Sequence, residues 1–337
     1  MKKIKVAMIG FGGIARSHYR AYSKLALENA PVELVAVCDI DPQKFTTKVK
    51  INLDNTEALL PDEIHKYTDV DTLINEESFD MVDICLPSYL HKEYAIKLLR
   101  AGKHVLCEKP MALSTDECKE MLAAAKESAG RFMIGQCLRF NSLYQFLKEC
   151  VDSGKYGNLR QLHLDRRSSH PKWGFENWFS KTEKSGGCIL DMHIHDIDMV
   201  RFLLGEPYAV SAVTYDTITK WSVENSRLYY KDVVAVVNGS WDESESSGFY
   251  YGYRAGFDKA TVILDNGKLT VYPRDGEAFT PDIPKADHIV EEIRYFAETI
   301  IEGKDNLANP PESACESVRL IEKLRESSAK NGETVDI

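Results

Sequence analysis

The segment that decides the fold is DMVDICLPSYLHKEYAIKLLRAGKHVLCEKPMALS, residues 80–114. It contains two short apolar runs, Met81–Leu86 and His104–Cys107, separated by a helix-periodic stretch. A strand, a helix and a second strand in this order form a right-handed crossover with parallel strands. Functional residues of such a sheet gather at the carboxyl ends of its strands. Those ends are Pro87-Ser88 and Glu108-Lys109, so the segment predicts both a parallel sheet and a candidate site.

A glycine-rich turn follows the first predicted strand, Lys3–Ile9, and reads GFGGIA. It fits G-x-G-x-x-G/A, in which Gly10 permits a tight turn, Gly12 lets the backbone approach a pyrophosphate, and Ala15 keeps the helix close to the strand. An ordinary glycine turn is the alternative, but the strand before and the helix after favour a dinucleotide site. The phosphates would meet the N–H groups at the start of that helix. The predicted contacts are Gly10, Phe11, Gly12, Gly13 and Ile14.

Asp39 ends the second predicted strand, Leu34–Cys38, about 24 residues after the glycine motif. This is the spacing expected of the acid that binds the adenosine ribose. A carboxylate there accepts hydrogen bonds from both ribose hydroxyls and repels a 2′-phosphate. Because no arginine directly follows Asp39, the sequence favours NAD over NADP. The alternative is a turn or helix-cap acid before Pro42.

Composition excludes several classes of protein. The net charge of -10 argues against nucleic acid, which requires a basic face. We find no apolar stretch of about 18 residues, so we expect no membrane-spanning helix. The eight cysteines are scattered without Cys-x-x-Cys spacing, so we expect no disulfides. We expect a cytoplasmic location for the same reason.

The second half of the chain changes character. Predicted strands follow one another without helices between them, at Ala209–Thr219, Leu228–Trp241 and three later segments. Consecutive strands of this kind indicate an antiparallel sheet. We therefore predict an α/β Rossmann domain over 1–137, followed over 138–337 by an α+β domain with a large, mainly antiparallel open sheet. An uncovered sheet face predicts self-association as a homodimer or homotetramer.

Three segments resemble the family of glucose–fructose oxidoreductases and inositol dehydrogenases. They are AGKHVLCEKPMALS, QCLRFNSLYQFLKECVDSGKYGNL and SGGCILDMHIHDIDMVRFLLG, and the resemblance extends over nearly the whole chain. It implies that Lys109, in the Glu-Lys-Pro motif, is catalytic. It also implies cofactor-side positions at Pro87, Ser88, His91, Glu108 and Lys109. Where the family often has Thr-Pro-Asn this chain has Leu86-Pro87-Ser88, which alters the expected contacts near the nicotinamide.

The resemblance assigns His195 as general acid/base and Asp191 as a substrate-binding carboxylate. The spacing agrees, because residues four apart on one helix point from the same face. A histidine suits this work since its ordinary pKa is near 6.5, and Lys109 would stabilise the developing oxyanion. The family often has glycine where His193 stands, so His193 is an alternative or additional base. We predict no metal site, because His193 and His195 diverge by about 200° around a helix.

The sequence thus predicts an oxidoreductase that moves a hydride between NAD and a secondary hydroxyl of a sugar, inositol or related polyol. Two alternatives stay open. One is a redox-neutral, NAD-dependent reaction such as glycoside cleavage. The other is a regulator that binds NAD and sugar without turnover, since a fold does not determine function. Neither nucleic acid nor a membrane is expected as a partner.

Overall fold

A computed structural model describes residues 3–46 and 60–337. The chain divides into two compact units. The first comprises Met1–Cys137, Lys172–Trp178 and Asp287–Cys315, and the second comprises Leu138–Pro171, Phe179–Ala286 and Glu316–Ile337. None of the helices in the described ranges combines the length and the hydropathy that crossing a bilayer requires.

The first unit is a six-stranded parallel sheet flanked by helices. Its strands run in the order β3-β2-β1-β4-β5-β6, which is the strand order of a dinucleotide-binding fold. The elements are β1 (Ile4–Ile9), α1 (Gly13–Leu27), β2 (Val32–Cys38), β3 (His65–Tyr67), α2 (Val70–Glu76), β4 (Met81–Ile84), α3 (His91–Arg100), β5 (His104–Glu108), α4 (Thr115–Glu127) and β6 (Phe132–Gly135). The predicted Rossmann fold is confirmed.

Residues 80–114 form the predicted strand–helix–strand crossover. β4 and β5 pair in parallel, with Ile84 opposite Cys107, and both strands are buried along their length apart from the first residue of β5. β4 ends at Ile84, two residues earlier than predicted. The next helix, α4, is N-capped by Ser114, whose hydroxyl accepts the N–H of Glu117 at 3.3 Å.

The second unit contains an eight-stranded mixed sheet, ordered β13-β12-β11-β7-β10-β9-β8-β14, in which only β7 and β10 pair in parallel. This confirms the predicted open, mainly antiparallel sheet. Its elements are α5 (Ser142–Ser153), β7 (Leu159–Arg167), α6 (Thr182–Ser185), α7 (Cys188–Asp191), α8 (Ile194–Leu204), β8 (Ala209–Tyr215), β9 (Val223–Tyr229), β10 (Val234–Ser240), β11 (Tyr250–Phe257), β12 (Ala260–Asp265), β13 (Lys268–Pro273), most of α10 (Pro311–Ala329) and β14 (Val335–Asp336). The helix between β13 and α10, α9 (His288–Glu302), lies in the first unit.

Two sequence-based assignments differ from the structure. The predicted strand Leu228–Trp241 is a hairpin of β9 and β10, and its turn is closed by a hydrogen bond from the Tyr230 N–H to the Val233 carbonyl at 3.0 Å. The predicted boundary placed α9 in the second domain. Instead, α9 packs on α1 and buries Ile293 and Phe296 in the core of the first unit, because its apolar stripe needs an apolar partner.

Candidate active site

The glycine turn lies between β1 and α1 and fits a dinucleotide. Gly10 has a positive φ of 87°, and a Cβ there would lie 2.6 Å from the Cys85 carbonyl oxygen, so a side chain is excluded. A Cβ on Gly12 would meet no described atom within 4 Å. Gly12 is the N-cap of α1, and the first turn of that helix contains no acidic residue. The turn therefore combines open space with the positive end of a helix, as phosphate binding requires.

The Phe11 side chain is fully buried in the core of the first unit, so only its backbone could approach a cofactor. Its N–H donates to Oδ2 of Asp39 at 2.7 Å. The predicted ribose acid, Asp39, thereby ties the end of β2 to the glycine turn. Gly13 and Ile14 are the first two residues of α1, whose N–H groups have no partners inside the helix.

A lysine that sequence reasoning missed lies beside Asp39. Lys44 Nζ is 3.0 Å from Asp39 Oδ2, and the Arg16 side chain donates to the Lys44 carbonyl at 2.8 Å. No positively charged residue directly follows Asp39 in the sequence. Lys44 is five residues after Asp39, and the turn between them returns its side chain to the carboxylate. The predicted ribose site therefore has one negative and one positive charge beside it.

Lys109 lies at the carboxyl end of β5, which is the same sheet edge as the glycine turn. Its side chain is partly exposed, and the Lys109–Pro110 peptide bond is cis. The N–H of Lys109 donates to Oε2 of Glu108 at 3.1 Å. Glu108 itself is buried, so its carboxylate supports the lysine backbone instead of lying open to a cofactor.

His91 connects the two predicted strand-end loops. Its Nδ1 is 2.8 Å from the Pro110 carbonyl oxygen, and its Nε2 is 2.8 Å from the Leu86 carbonyl oxygen. The ring is 1% exposed, and burial lowers the pKa of His91. The role that these contacts support is to hold residues 86–88 against the Glu-Lys-Pro loop. Ser88 is also buried, and Pro87 is partly exposed.

The second group of predicted residues lies in the second unit. Asp191 ends α7, and His195 is the second residue of α8, so the prediction of one uninterrupted helix is wrong. The His193 N–H bonds to the carbonyl of Cys188, five residues back, at 2.9 Å. Such a widened turn resembles the single-turn π-bulges that often occur at functional sites. Both Asp191 and His195 are partly exposed.

His193 is fully buried, and its ring faces the sheet. Its Nε2 lies 3.0 Å from the hydroxyl of Ser226, which donates in turn to the Val237 carbonyl. A hydroxyl has one hydrogen, so Nε2 of His193 is the donor. Burial, aided by the charge of Arg166, lowers the pKa of His193 to about 3. A neutral, enclosed imidazole supports a packing role, which argues against His193 as a base.

The carboxylates that follow His195 are engaged in buried ion pairs. Asp196 takes two hydrogen bonds from Arg166, at 2.8 and 2.9 Å, and Asp198 takes two from Arg139, at 2.8 and 2.7 Å. Paired bonds of this kind fix the geometry of both partners. Asp196 and Asp198 therefore anchor α8 within the second unit.

Among the described residues, one cluster brings three metal-capable atoms within 4.8 Å of one another: His18, Asp83 and Cys85. Both ring nitrogens of His18 are hydrogen-bonded to carboxylates. Burial, followed by the charge of Asp83, raises the pKa of the Cys85 thiol, which disfavours the thiolate that a metal binds. The contacts support a hydrogen-bond network in the first unit.

Comparisons with known proteins agree with both halves of this description. The family described as "Oxidoreductase family, NAD-binding Rossmann fold" matches residues 4–136, and "GFO/IDH/MocA C-terminal domain" matches residues 144–269. The chain is 37% identical over 137 residues to 2,7-anhydro-N-acetylneuraminate hydratase of Escherichia coli (strain K12), which is 41% of this chain and 37% of the relative.

Glucose-6-phosphate 3-dehydrogenase of Bacillus subtilis (strain 168) is 30% identical over 239 residues, 70% of this chain and 63% of the relative. The chain thus spans less than two thirds of the length of these curated relatives. A structure of levoglucosan dehydrogenase in complex with NADH and levoglucosan matches with a TM-score of 0.83 at 20% identity, covering 100% of both chains. This likeness shows the fold.

Proposed function

Because the chain belongs to the GFO/IDH/MocA oxidoreductase family, with its NAD-binding Rossmann fold, we propose that it is an NAD-dependent dehydrogenase. It moves a hydride between nicotinamide and a secondary hydroxyl of a sugar, inositol or related polyol. One observation carries the proposal: the glycine turn and Lys109 lie at the same carboxyl edge of one parallel sheet. That edge is where such sheets bind nucleotides and place their chemistry.

The residues of the first unit fit the cofactor. Gly10 permits the tight turn, Gly12 leaves the space that a pyrophosphate needs, and the start of α1 supplies N–H donors. NAD, when bound, accepts or returns the hydride. Lys109 holds the substrate oxygen with its ammonium group and stabilises the negative charge that develops there. His195 takes or returns the hydroxyl proton, and Asp191 binds a neighbouring hydroxyl.

We also propose NAD as the physiological cofactor. The carboxylate of Asp39 accepts the N–H of Phe11 and lies where it would repel a 2′-phosphate. The nearby Lys44 ammonium, 3.0 Å from Asp39, weakens that repulsion. We therefore expect the preference for NAD over NADP to be incomplete. The opposing charges of Asp39 and Lys44 determine how large this preference is.

A redox-neutral sugar-processing reaction is the second candidate, and the similarity to relatives named as hydratases favours it. The dehydrogenase reading has broader support, because relatives named as dehydrogenases match longer stretches of the chain. For the protein as a whole we further propose self-association through the sheet of the second unit, where Val213 and Val234 are exposed. The eight free cysteines, seven of them buried, support a reducing compartment, which we take to be the cytoplasm.

The test is nicotinamide absorbance with purified protein, NAD or NADP, and a panel of inositols, aldoses and sugar acids. Reduction of NAD by one polyol is expected, and Lys109→Ala should lower kcat/KM by about 10²- to 10³-fold. Lys92→Ala is the matched control, since Lys92 is a surface residue of α3 that pairs with Glu117 and Glu120. Product formed without net reduction of NAD would favour the redox-neutral reaction. Absence of turnover with NAD still bound would favour a sensor.

A further inference from the structure

His18 is a fully buried histidine in α1 whose two ring nitrogens both face carboxylate oxygens. Nδ1 lies 2.8 Å from Asp83 Oδ2, and Nε2 lies 2.9 Å from Glu108 Oε1. Asp83 is in β4, and Glu108 is the last residue of β5. A neutral imidazole has one N–H and one lone pair, so it could satisfy only one of these ionised partners.

Counting hydrogens shows which charges this network holds. Oδ2 of Asp83 also accepts the Tyr22 hydroxyl at 3.0 Å, and the Cys85 thiol points at Oδ1 at 3.6 Å. Oε2 of Glu108 accepts a backbone N–H. Both carboxylates therefore act as acceptors only, and an imidazolium is the form of His18 that completes the set. Burial is the largest single effect and would lower the pKa of His18, but the charge of Asp83, the interaction with Cys85 and the hydrogen bonds to these two side chains together outweigh it, and the pKa is raised.

The network ends directly at Lys109. The Glu108 carboxylate bonds to His18 with one oxygen and to the Lys109 N–H with the other. His18, Asp83 and Glu108 together carry one negative charge, and the charge of Lys109 acts on Glu108. Without the imidazolium, two buried carboxylates would face Lys109 with no internal compensation.

We propose that His18 is a positioning residue for Lys109, holding Glu108 in place and cancelling part of the negative charge behind the lysine. This inference rests on the proposed function, which places Lys109 at the reacting oxygen. A lysine relieved of one neighbouring negative charge exchanges a proton with the substrate oxygen more readily.

Other titratable groups face the network from each neighbouring element. Tyr22 contacts Asp83 from α1, Cys85 contacts it from the position directly after β4, and Glu292 of α9 acts on Tyr22. His91 and Glu108 both act electrostatically with Lys109. Behind Lys109, His18 is the group that touches Glu108 and supplies a compensating positive charge.

The test compares His18→Gln with Tyr22→Phe. The glutamine keeps an N–H donor but has no charge, whereas Tyr22→Phe removes a hydrogen bond to the same Asp83 oxygen and leaves the charges unchanged. The readout is the rate at which an amine-acylating reagent labels Lys109 as a function of pH, followed by peptide mass spectrometry without substrate. Loss of one positive charge at about 10 Å, with a dielectric constant of about 20, should raise the pH at the midpoint of Lys109 labelling by about one unit.

The expected result is an upward shift in His18→Gln and none in Tyr22→Phe. If His18→Gln does not fold, the double variant His18→Gln/Asp83→Asn, which removes one charge of each sign, should fold and label with a midpoint near that of the wild type. Equal midpoints in wild type and His18→Gln, or equal shifts in both single variants, would overturn the inference. Labelling needs no turnover, so failure here leaves the dehydrogenase proposal intact, and a missing NAD reduction would leave this result intact.

Discussion

Glu224 provides a prediction about stability that follows from burial alone. Its side chain is completely buried in β9, and among the described residues neither carboxyl oxygen has a hydrogen-bond partner. The nearest cationic candidate, Nε2 of His193, is 3.9 Å away, and the ring is neutral because burial, aided by the charge of Arg166, lowers the pKa of His193 to about 3. Burial raises the pKa of Glu224 well above 4.5, and the charge of Arg325 offsets only part of this. Glu224 therefore keeps its proton in the folded protein.

This protonation makes the protein less stable as pH rises. Above about pH 4.5 the unfolded chain releases the Glu224 proton and the folded chain retains it, so the free energy of unfolding falls with pH up to the folded pKa. The slope for one proton is about 1.4 kcal/mol per pH unit. Between pH 5 and pH 7 the expected loss is on the order of 2 kcal/mol. Glu224→Gln has no such proton, so its stability relative to the wild type should rise by that amount over this interval.

The assay is urea unfolding followed by tryptophan fluorescence at pH 5, 6 and 7. Glu277→Gln is the matched control, because Glu277 is exposed in the same unit and its pH trend should parallel that of the wild type. Glu224→Met tests the same idea without a buried amide, since an apolar side chain leaves no unsatisfied polar atom. A difference between Glu224→Gln and wild type that is the same at pH 5 and pH 7 would refute the reasoning.

Further outcomes are expected at the nucleotide end of the first unit. Gly12→Ala should fold with wild-type stability but bind NAD at least about 10-fold more weakly in fluorescence titrations, whereas Gly10→Ala should lower the melting temperature of the free protein because its Cβ meets a carbonyl at 2.6 Å. Lys44→Ala should raise the Kd for NADP about 3- to 10-fold and leave that for NAD nearly unchanged; equal changes would contradict the charge argument. His91→Leu should lower the free energy of unfolding by about 1–3 kcal/mol at pH 8. The loss should be smaller at pH 5.5, because the lowered pKa of His91 makes the wild type less stable as pH drops below 6.5. An equal loss at both pH values would be evidence against a neutral His91.

Local patterns account for the parts that the sequence predicted correctly. The turn from Gly10 to Ala15 and the crossover from β4 to β5 each depend on residues close together in the chain. The position of Lys109 followed from its place at the end of a buried strand. In each case, one short stretch contained the physical cause of its own structure.

The remaining features depend on partners far apart in sequence. His18 meets Asp83 and Glu108 across separations of 65 and 90 residues, and periodicity holds no information about such pairs. The break before His195 was hidden because residues 192 and 193 keep helical backbone angles while the hydrogen bonding widens. The assignment of α9 to the first unit depends on the apolar stripe of α1 that α9 covers. The sequence of α9 does not reveal which helix it packs against.

The most direct test of the central claim is transfer of deuterium from a polyol labelled at its carbinol carbon to NAD. Reisolated NADH would be analysed by mass spectrometry, with Lys109→Ala and Lys92→Ala run in parallel. We expect deuterated NADH from the wild type and from Lys92→Ala, and a rate about 10²- to 10³-fold lower from Lys109→Ala. Deuterium that stays in the sugar while NAD remains oxidised, or equal rates in both lysine variants, would contradict it.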